Sequence, residues 1–180
     1  RSSHPIEQEV ENPAEIGQLF DAISYSKGAS VLRMLEHFLG ADAFREGLRR
    51  YISEHRYGTA RTLDLWEALS VASGQPVAAM MDTWVKQMGY PVLNVEVKRG
   101  DSGAVVEVAQ RRFLYDHLLE GALDGTVWQV PVGVSQPGSG GVQSLLMGES
   151  AASMTLAPAK NAGWVKVNAG QTGFFRVSYE

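Results

Sequence analysis

The chain has 180 residues, enough for one large domain or two small ones. Hydrophobic residues make up 44% of it, which supports a buried core and excludes wholesale disorder, and a net charge of −4 with no basic stripe excludes a nucleic-acid-binding surface. There is no cysteine, so no disulfide framework or thiol chemistry exists; this fits a reducing compartment, and the expected localisation is cytoplasmic.

No apolar run approaches the roughly 18–20 residues that span a bilayer, so no membrane segment is expected. The chain opens with Arg1-Ser2-Ser3, without an initiator Met or signal peptide, and reads as an excerpt from a longer protein. Its first stretch, Arg1 to Val10, is extended and has no obvious partner of its own. Asn12-Pro13-Ala14-Glu15 reads as a helix start: Asn12 can cap, Pro13 suits the first helical position, and Glu15 can reach back to complete a capping box. A longer helix follows from about Ser24 to Leu39, with Val31, Leu32, Leu35, Phe38 and Leu39 as its apolar face and Gly40 as its C-terminal cap. Phe44, Leu48, Tyr51 and Ile52 mark a third helix, with Gly58 closing the region. Thr62 caps a fourth, which carries Leu65, Trp66 and Leu69 and ends at Gly74. Pro76 opens a fifth, in which Val77, Met80, Met81, Trp84, Val85 and Met88 form one stripe that stops at Gly89. Such a Met-rich stripe would suit an adaptable binding groove, but ordinary core is the simpler reading.

The pattern changes at Gly89-Tyr90-Pro91, where helical spacing gives way to alternation. Leu93, Val95 and Val97 alternate with Asn94, Glu96 and Lys98, and a turn at 99–103 leads into a second strand from Ala104 to Gln110. Further strands are expected at Val127 to Val134, Val142 to Met147, Ser153 to Leu156, Trp164 to Asn168 and Phe174 to Tyr179; Phe113 to Gly125 reads as loop. Many short strands with Gly/Pro/Ser punctuation predict a β-sandwich. The expected fold class is therefore α+β in two domains, a helical block over 1–90 and a small β-sandwich over 91–180.

Candidate chemistry is sparse. The four histidines, His4, His37, His55 and His117, are far apart, and none belongs to H-E-x-x-H, so they read as surface or structural groups. His4, beside Pro5 in the extended first segment, is the one to watch. No G-x-S-x-G elbow is present, and the glycines at 138–141 follow no strand-to-helix pattern. Arg99-Gly100-Asp101 matches an adhesion tripeptide, but a tight hairpin turn accounts for it. Tyr25 stands at the start of a helix beside Lys27 and Gly28; taken alone, a half-buried core tyrosine is the commoner reading. A glycine in the first helical turns costs roughly 1 kcal/mol against Ala, which suggests that Gly28 packs closely against another backbone.

Taken together, several segments resemble the zinc-dependent aminopeptidases of the alanyl and puromycin-sensitive type. They are Ser2-Ser3-His4-Pro5-Ile6, Asn12-Pro13-Ala14-Glu15-Ile16, the run from Phe20 through Tyr25-Ser26-Lys27-Gly28 to Leu35, Asp64-Leu65-Trp66, Trp84-Val85-Lys86-Gln87-Met88-Gly89-Tyr90-Pro91, Trp128-Gln129-Val130-Pro131, and Asn168 through Gly173-Phe174-Phe175-Arg176-Val177. The resemblance implies that the helical block is the C-terminal half of a thermolysin-like catalytic domain and that the sandwich follows it. It implies a zinc ion in the parent protein, held by an H-E-x-x-H helix and a later glutamate, all upstream of Arg1. It also implies peptide substrates, shortened from their N-termini. Tyr25 would be the catalytic tyrosine, its hydroxyl donating to the oxygen of the reacting carbonyl. Lys27 and Gly28 would position the helix, Arg33 would pair with a structural carboxylate, and His4 would be a supporting group. On this reading the chain alone binds no zinc and is inactive, and it self-associates through apolar surface left where the upstream half is missing. The competing reading is a non-catalytic protein-interaction module.

Overall fold

The computed structural model describes residues 3–8, 10, 12–100, 103–113, 125–158 and 163–180. It is α+β, and it divides into two compact units, Arg1–Met88 and Gly89–Glu180. No helix among the described residues is long and apolar enough to cross a membrane.

In the first unit, Asn12 is extended and its side-chain oxygen accepts the Ala14 N–H at 3.0 Å. This cap starts a 3-10 helix, Pro13–Leu19, in which the missing N–H of Pro13 falls where no intrahelical partner exists. The side chain of Glu15, the expected second half of the cap, lies outside the described residues. The next helix does not begin as a regular one. Ile23–Lys27 is wound as a π turn, and only then does α1 (Gly28–Leu39) run regularly. Its buried face is Val31, Met34 and Leu35; Leu32, expected in the core, is exposed, and Met34 takes that place. Val31, Met34 and Leu35 stand three and four residues apart, the spacing that puts them on one face of an α-helix, and Leu32 falls beside that face.

Gly40, with φ 82°, ends α1 and leads directly into α2 (Ala41–Glu54). The next helix, α3 (Thr62–Ser73), starts on Thr62 rather than being capped by it. Arg61 holds the cap position, and the Asp64 carboxylate reaches back to accept the Arg61 N–H at 2.7 Å. Gly47 of α2 lies against α3: a Cβ there would stand 2.6 Å from Leu69 Cδ2 and 2.9 Å from Leu69 Cα. Only a hydrogen side chain lets the two backbones approach this closely. The last helix, α4 (Val77–Val85), buries Val77, Met80, Met81, Trp84 and Val85 completely or nearly so, while Met88 lies beyond its end and is exposed. The methionine stripe is therefore core, with each large side chain contributing about 1.5–3 kcal/mol of burial.

The second unit holds two sheets. In the first, β1 (Pro91–Gly100) pairs antiparallel with β2 (Gly103–Arg112), β2 with β5 (Ala151–Leu156), and β1 runs parallel to β7 (Arg176–Tyr179). In the second, β3 (Val130–Ser135) lies between β4 (Gln143–Met147) and β6 (Lys166–Val167). The β1–β2 ladder reaches Gly100 and Gly103, as a hairpin there requires; residues 101–102 of the turn, and 114–124 of the expected loop, lie outside the described residues. The strand expected at Trp164 to Asn168 shrinks to two residues. Trp164 is exposed, and Asn168 leaves strand geometry at φ 59° so that its carboxamide accepts the Gly173 N–H at 2.9 Å. Along β2, Ala104, Val106, Val108 and Gln110 all face inward. Gln110 is the polar member of that series, and it ties the two sheets together. Its Nε2 donates to the Trp128 and Glu149 carbonyls at 2.9 and 2.7 Å, and its Oε1 accepts the Trp128 N–H at 2.9 Å.

Candidate active site

Tyr25 occupies the middle of the π turn and is 63% exposed, not half-buried. Its ring lies 6.3 Å from that of Phe20, and its hydroxyl makes no hydrogen bond to another described residue. The backbone beneath it is well held. The Tyr25 N–H donates to the Asp21 carbonyl at 3.1 Å, and the Gly28 N–H donates to the Tyr25 carbonyl. Asp21 Oδ1 accepts the Ser24 N–H at 2.9 Å, so Asp21 caps the turn three residues ahead, as an N-cap carboxylate does. Two residues past Tyr25, Lys27 is only 7% exposed, and its Nζ donates to the Gln87 carbonyl at 2.8 Å. This contact ties the turn to the chain just beyond α4.

The first segment of the chain closes over the same turn. His4 Nε2 lies 2.6 Å from Asp21 Oδ2, and His4 Nδ1 lies 2.7 Å from the Pro5 carbonyl. The Glu7 N–H donates to the Val85 carbonyl at 2.9 Å, which pins the segment to the end of α4. The hydrogen bond to Asp21 raises the His4 pKa above its ordinary 6.5, helped by the Pro5 carbonyl and opposed by partial loss of solvent and, less, by Lys27. The Ser24 N–H lowers the Asp21 pKa below its ordinary 3.8, helped by His4.

A groove of about 610 Å³ opens beside Tyr25, bordered by Ile6, Gln8, Gly28, Leu32, Trp66 and Met81 among others. Gly28 needs correction. Its φ is −56°, and no described atom lies within 4 Å of where its Cβ would stand. Neither backbone conformation nor close packing requires a glycine there; the position faces the open groove. Arg33 forms no ion pair among the described residues.

The other histidines are not drawn to this place. The His55 ring lies 5.4 Å from that of Tyr51 on α2, His37 lies in the last turn of α1, and His117 lies outside the described residues. No three His, Cys, Asp or Glu side chains converge as a metal site among the described residues. A zinc ion of the kind the resemblance implies does not fit the donors described here. The residue that sequence reading passed over is Asp21. Its spacing of three before Ser24 is the one signal that could have found it.

Residues 1–84 match the model of the peptidase family M1 domain, and the whole chain is similar to proteins named as aminopeptidases. It is 42% identical to the puromycin-sensitive aminopeptidase of Caenorhabditis elegans over 184 residues, covering 99% of this chain and 19% of that protein. It is 42% identical to aminopeptidase M1 of Arabidopsis thaliana over 192 residues, covering 99% of this chain and 21% of the relative. It is 41% identical to the tricorn protease-interacting factor F2 of Thermoplasma acidophilum over 180 residues, covering 100% of this chain and 21% of the relative. The chain thus spans about a fifth of the length of the curated relatives it matches.

Proposed function

We propose that this chain is the part of a metallo-aminopeptidase that supplies the oxyanion donor, Tyr25, for removal of N-terminal residues from peptides. The observation that carries this reading is an exposed phenol, uncommitted among the described residues, at the rim of a groove in a segment that resembles aminopeptidases. When a peptide carbonyl is attacked, negative charge builds on its oxygen. A neutral phenol is a hydrogen-bond donor, and the π turn, capped by Asp21 and anchored by Lys27, holds the Tyr25 backbone fixed while its ring faces outward. A donor fixed in advance stabilises the charge without reorganising at the moment of reaction, and removing one such donor typically costs about 3–4 kcal/mol of barrier.

Zinc, if present in the whole protein, would have to be held by residues other than those described here, and no role is assigned to it in the step above. We read the first unit as the C-terminal half of a thermolysin-like catalytic domain and the second as a β-sandwich, with the 180 residues alone inactive and prone to self-association. The test is Tyr25→Phe in the full-length protein. Turnover of an aminoacyl substrate should fall by about a hundredfold or more with metal content unchanged. Near-normal turnover would refute the role.

A further inference from the structure

We propose that Asp21 and His4 are positioning residues for Tyr25: the pair clamps the π turn so that the phenol is presented at the rim of the groove. This rests on the reading of Tyr25 as the oxyanion donor, and it is carried by a continuous chain of contacts.

The chain begins at the end of α4, where the Val85 carbonyl holds the Glu7 N–H. That bond fixes the segment in which Pro5 offers its carbonyl to His4 Nδ1. The other imidazole nitrogen meets Asp21 Oδ2 at 2.6 Å, a short, charge-assisted contact. The second oxygen of the same carboxylate caps Ser24, and the Asp21 carbonyl accepts from Tyr25 itself. Both ring nitrogens of His4 face oxygen acceptors, and only the imidazolium donates from both. Gln8 Nε2 also lies 2.9 Å from Nδ1, and an imidazolium there requires the carboxamide turned by a half-turn, so that its oxygen faces the ring. Lys27 is the one other charged group that acts on His4, and its own ammonium is occupied at the Gln87 carbonyl.

A π turn is a costly way to start a helix, because its wide ring packs less well than an α turn. It persists where something outside the helix holds it, and here the holder is a residue seventeen positions earlier in the chain. The turn is what sets the direction of Tyr25. Were it to relax into regular α-helix, every residue before α1 would rotate by about 100° relative to the helix face. His4 and Asp21 do not themselves border the groove; they meet it only through Gln8, Ser24 and Tyr25, and Asp21 acts on Tyr25 through the backbone.

The test uses the full-length protein with Asp21→Ala, His4→Ala, Tyr25→Phe and the double variant Asp21→Ala/Tyr25→Phe, read by steady-state kinetics and by hydrogen exchange of the peptide spanning 21–27. Asp21→Ala should lower kcat by about tenfold or more with KM changed by less than about threefold, since substrate contacts remain and only the transition-state donor moves. The double variant should be within about twofold of Tyr25→Phe, because Asp21 acts through that residue. Exchange should quicken about tenfold in the 21–27 peptide and stay unchanged in α3 and α4, which shows that the fold is intact. Asp21→Asn keeps an oxygen for Ser24 and should recover part of both losses, while His4→Ala should reproduce the exchange change with a smaller kinetic one.

Unchanged exchange at 21–27 in Asp21→Ala, or kinetic losses that add in the double variant, would overturn the positioning role. If Tyr25→Phe keeps its turnover, the oxyanion reading fails instead, and the exchange result alone decides whether the clamp holds the turn.

Discussion

Replacing Gln110 by Met keeps the length and shape of the side chain and removes its hydrogen bonds. Gln110 is 9% exposed, and its carboxamide makes three bonds to backbone: two donated, to the Trp128 and Glu149 carbonyls, and one accepted, from the Trp128 N–H. A typical buried hydrogen bond contributes about 1 kcal/mol net, and a backbone group deprived of its partner in an apolar setting costs about 1–3 kcal/mol. Part of the loss is recovered by the better transfer of a thioether into the core, so the expected destabilisation is about 3–5 kcal/mol. For a unit of this size that lowers the melting midpoint by roughly 15 °C or more. The measurement is urea unfolding followed by hydrogen exchange, with amides of β2 and β3 read separately from those of α1–α4. The helical unit should be untouched. A change below about 1 kcal/mol in the strand unit would show that Gln110 does not hold the two sheets together.

Three further outcomes follow from the same structure. Gly47→Ala should destabilise the helical unit by about 1–3 kcal/mol in chemical denaturation despite Ala's better helix propensity, because its Cβ would meet the Leu69 backbone at 2.9 Å. Gly28→Ala should be tolerated, and should stabilise by up to about 1 kcal/mol, since its Cβ meets no described atom within 4 Å; a loss of stability would show that the position is crowded. The His4–Asp21 contact should make protection of the Ser24 and Tyr25 amides depend on pH. The raised pKa of His4 gives a contribution that is complete below 6.5 and lost as pH climbs through the folded value above it. The lowered pKa of Asp21 gives one complete above 3.8 and lost as pH falls through the folded value below it. Protection, corrected for intrinsic exchange, should therefore be greatest between 3.8 and 6.5 and decline on both sides. A profile flat above 6.5 in the wild type, or one unchanged in His4→Ala, would refute the coupling.

Local rules were legible wherever neighbours in sequence decide the outcome. Asn12 caps because its side chain needs only the N–H two residues on, Gly74 ends α3 because its φ of 68° suits a residue without Cβ, and the β1–β2 hairpin follows from alternation and a glycine-rich turn. The stripe from Val77 to Val85 announced a buried helix face, and it is one. The α+β class and the change of pattern at Gly89 came from periodicity alone, and the resemblance that singled out Tyr25 rested on side chains in order along the chain.

What no spacing rule could supply was the set of contacts between distant positions. Met34 rather than Leu32 is buried on α1, and the π turn before it is preceded by Asp21, whose carboxylate a histidine near the start of the chain contacts. Asp21 looked like an ordinary polar residue until folding brought His4 to its second oxygen. Gln110 closes the expected second strand as an ordinary polar residue, and only the fold shows the Trp128 and Glu149 carbonyls that its carboxamide meets. Sequence determined the elements and the candidate tyrosine, because hydrophobic period and capping act over a few residues. Tertiary structure decided how that tyrosine is presented, because a hydrogen bond closed across seventeen residues depends on where the intervening chain goes.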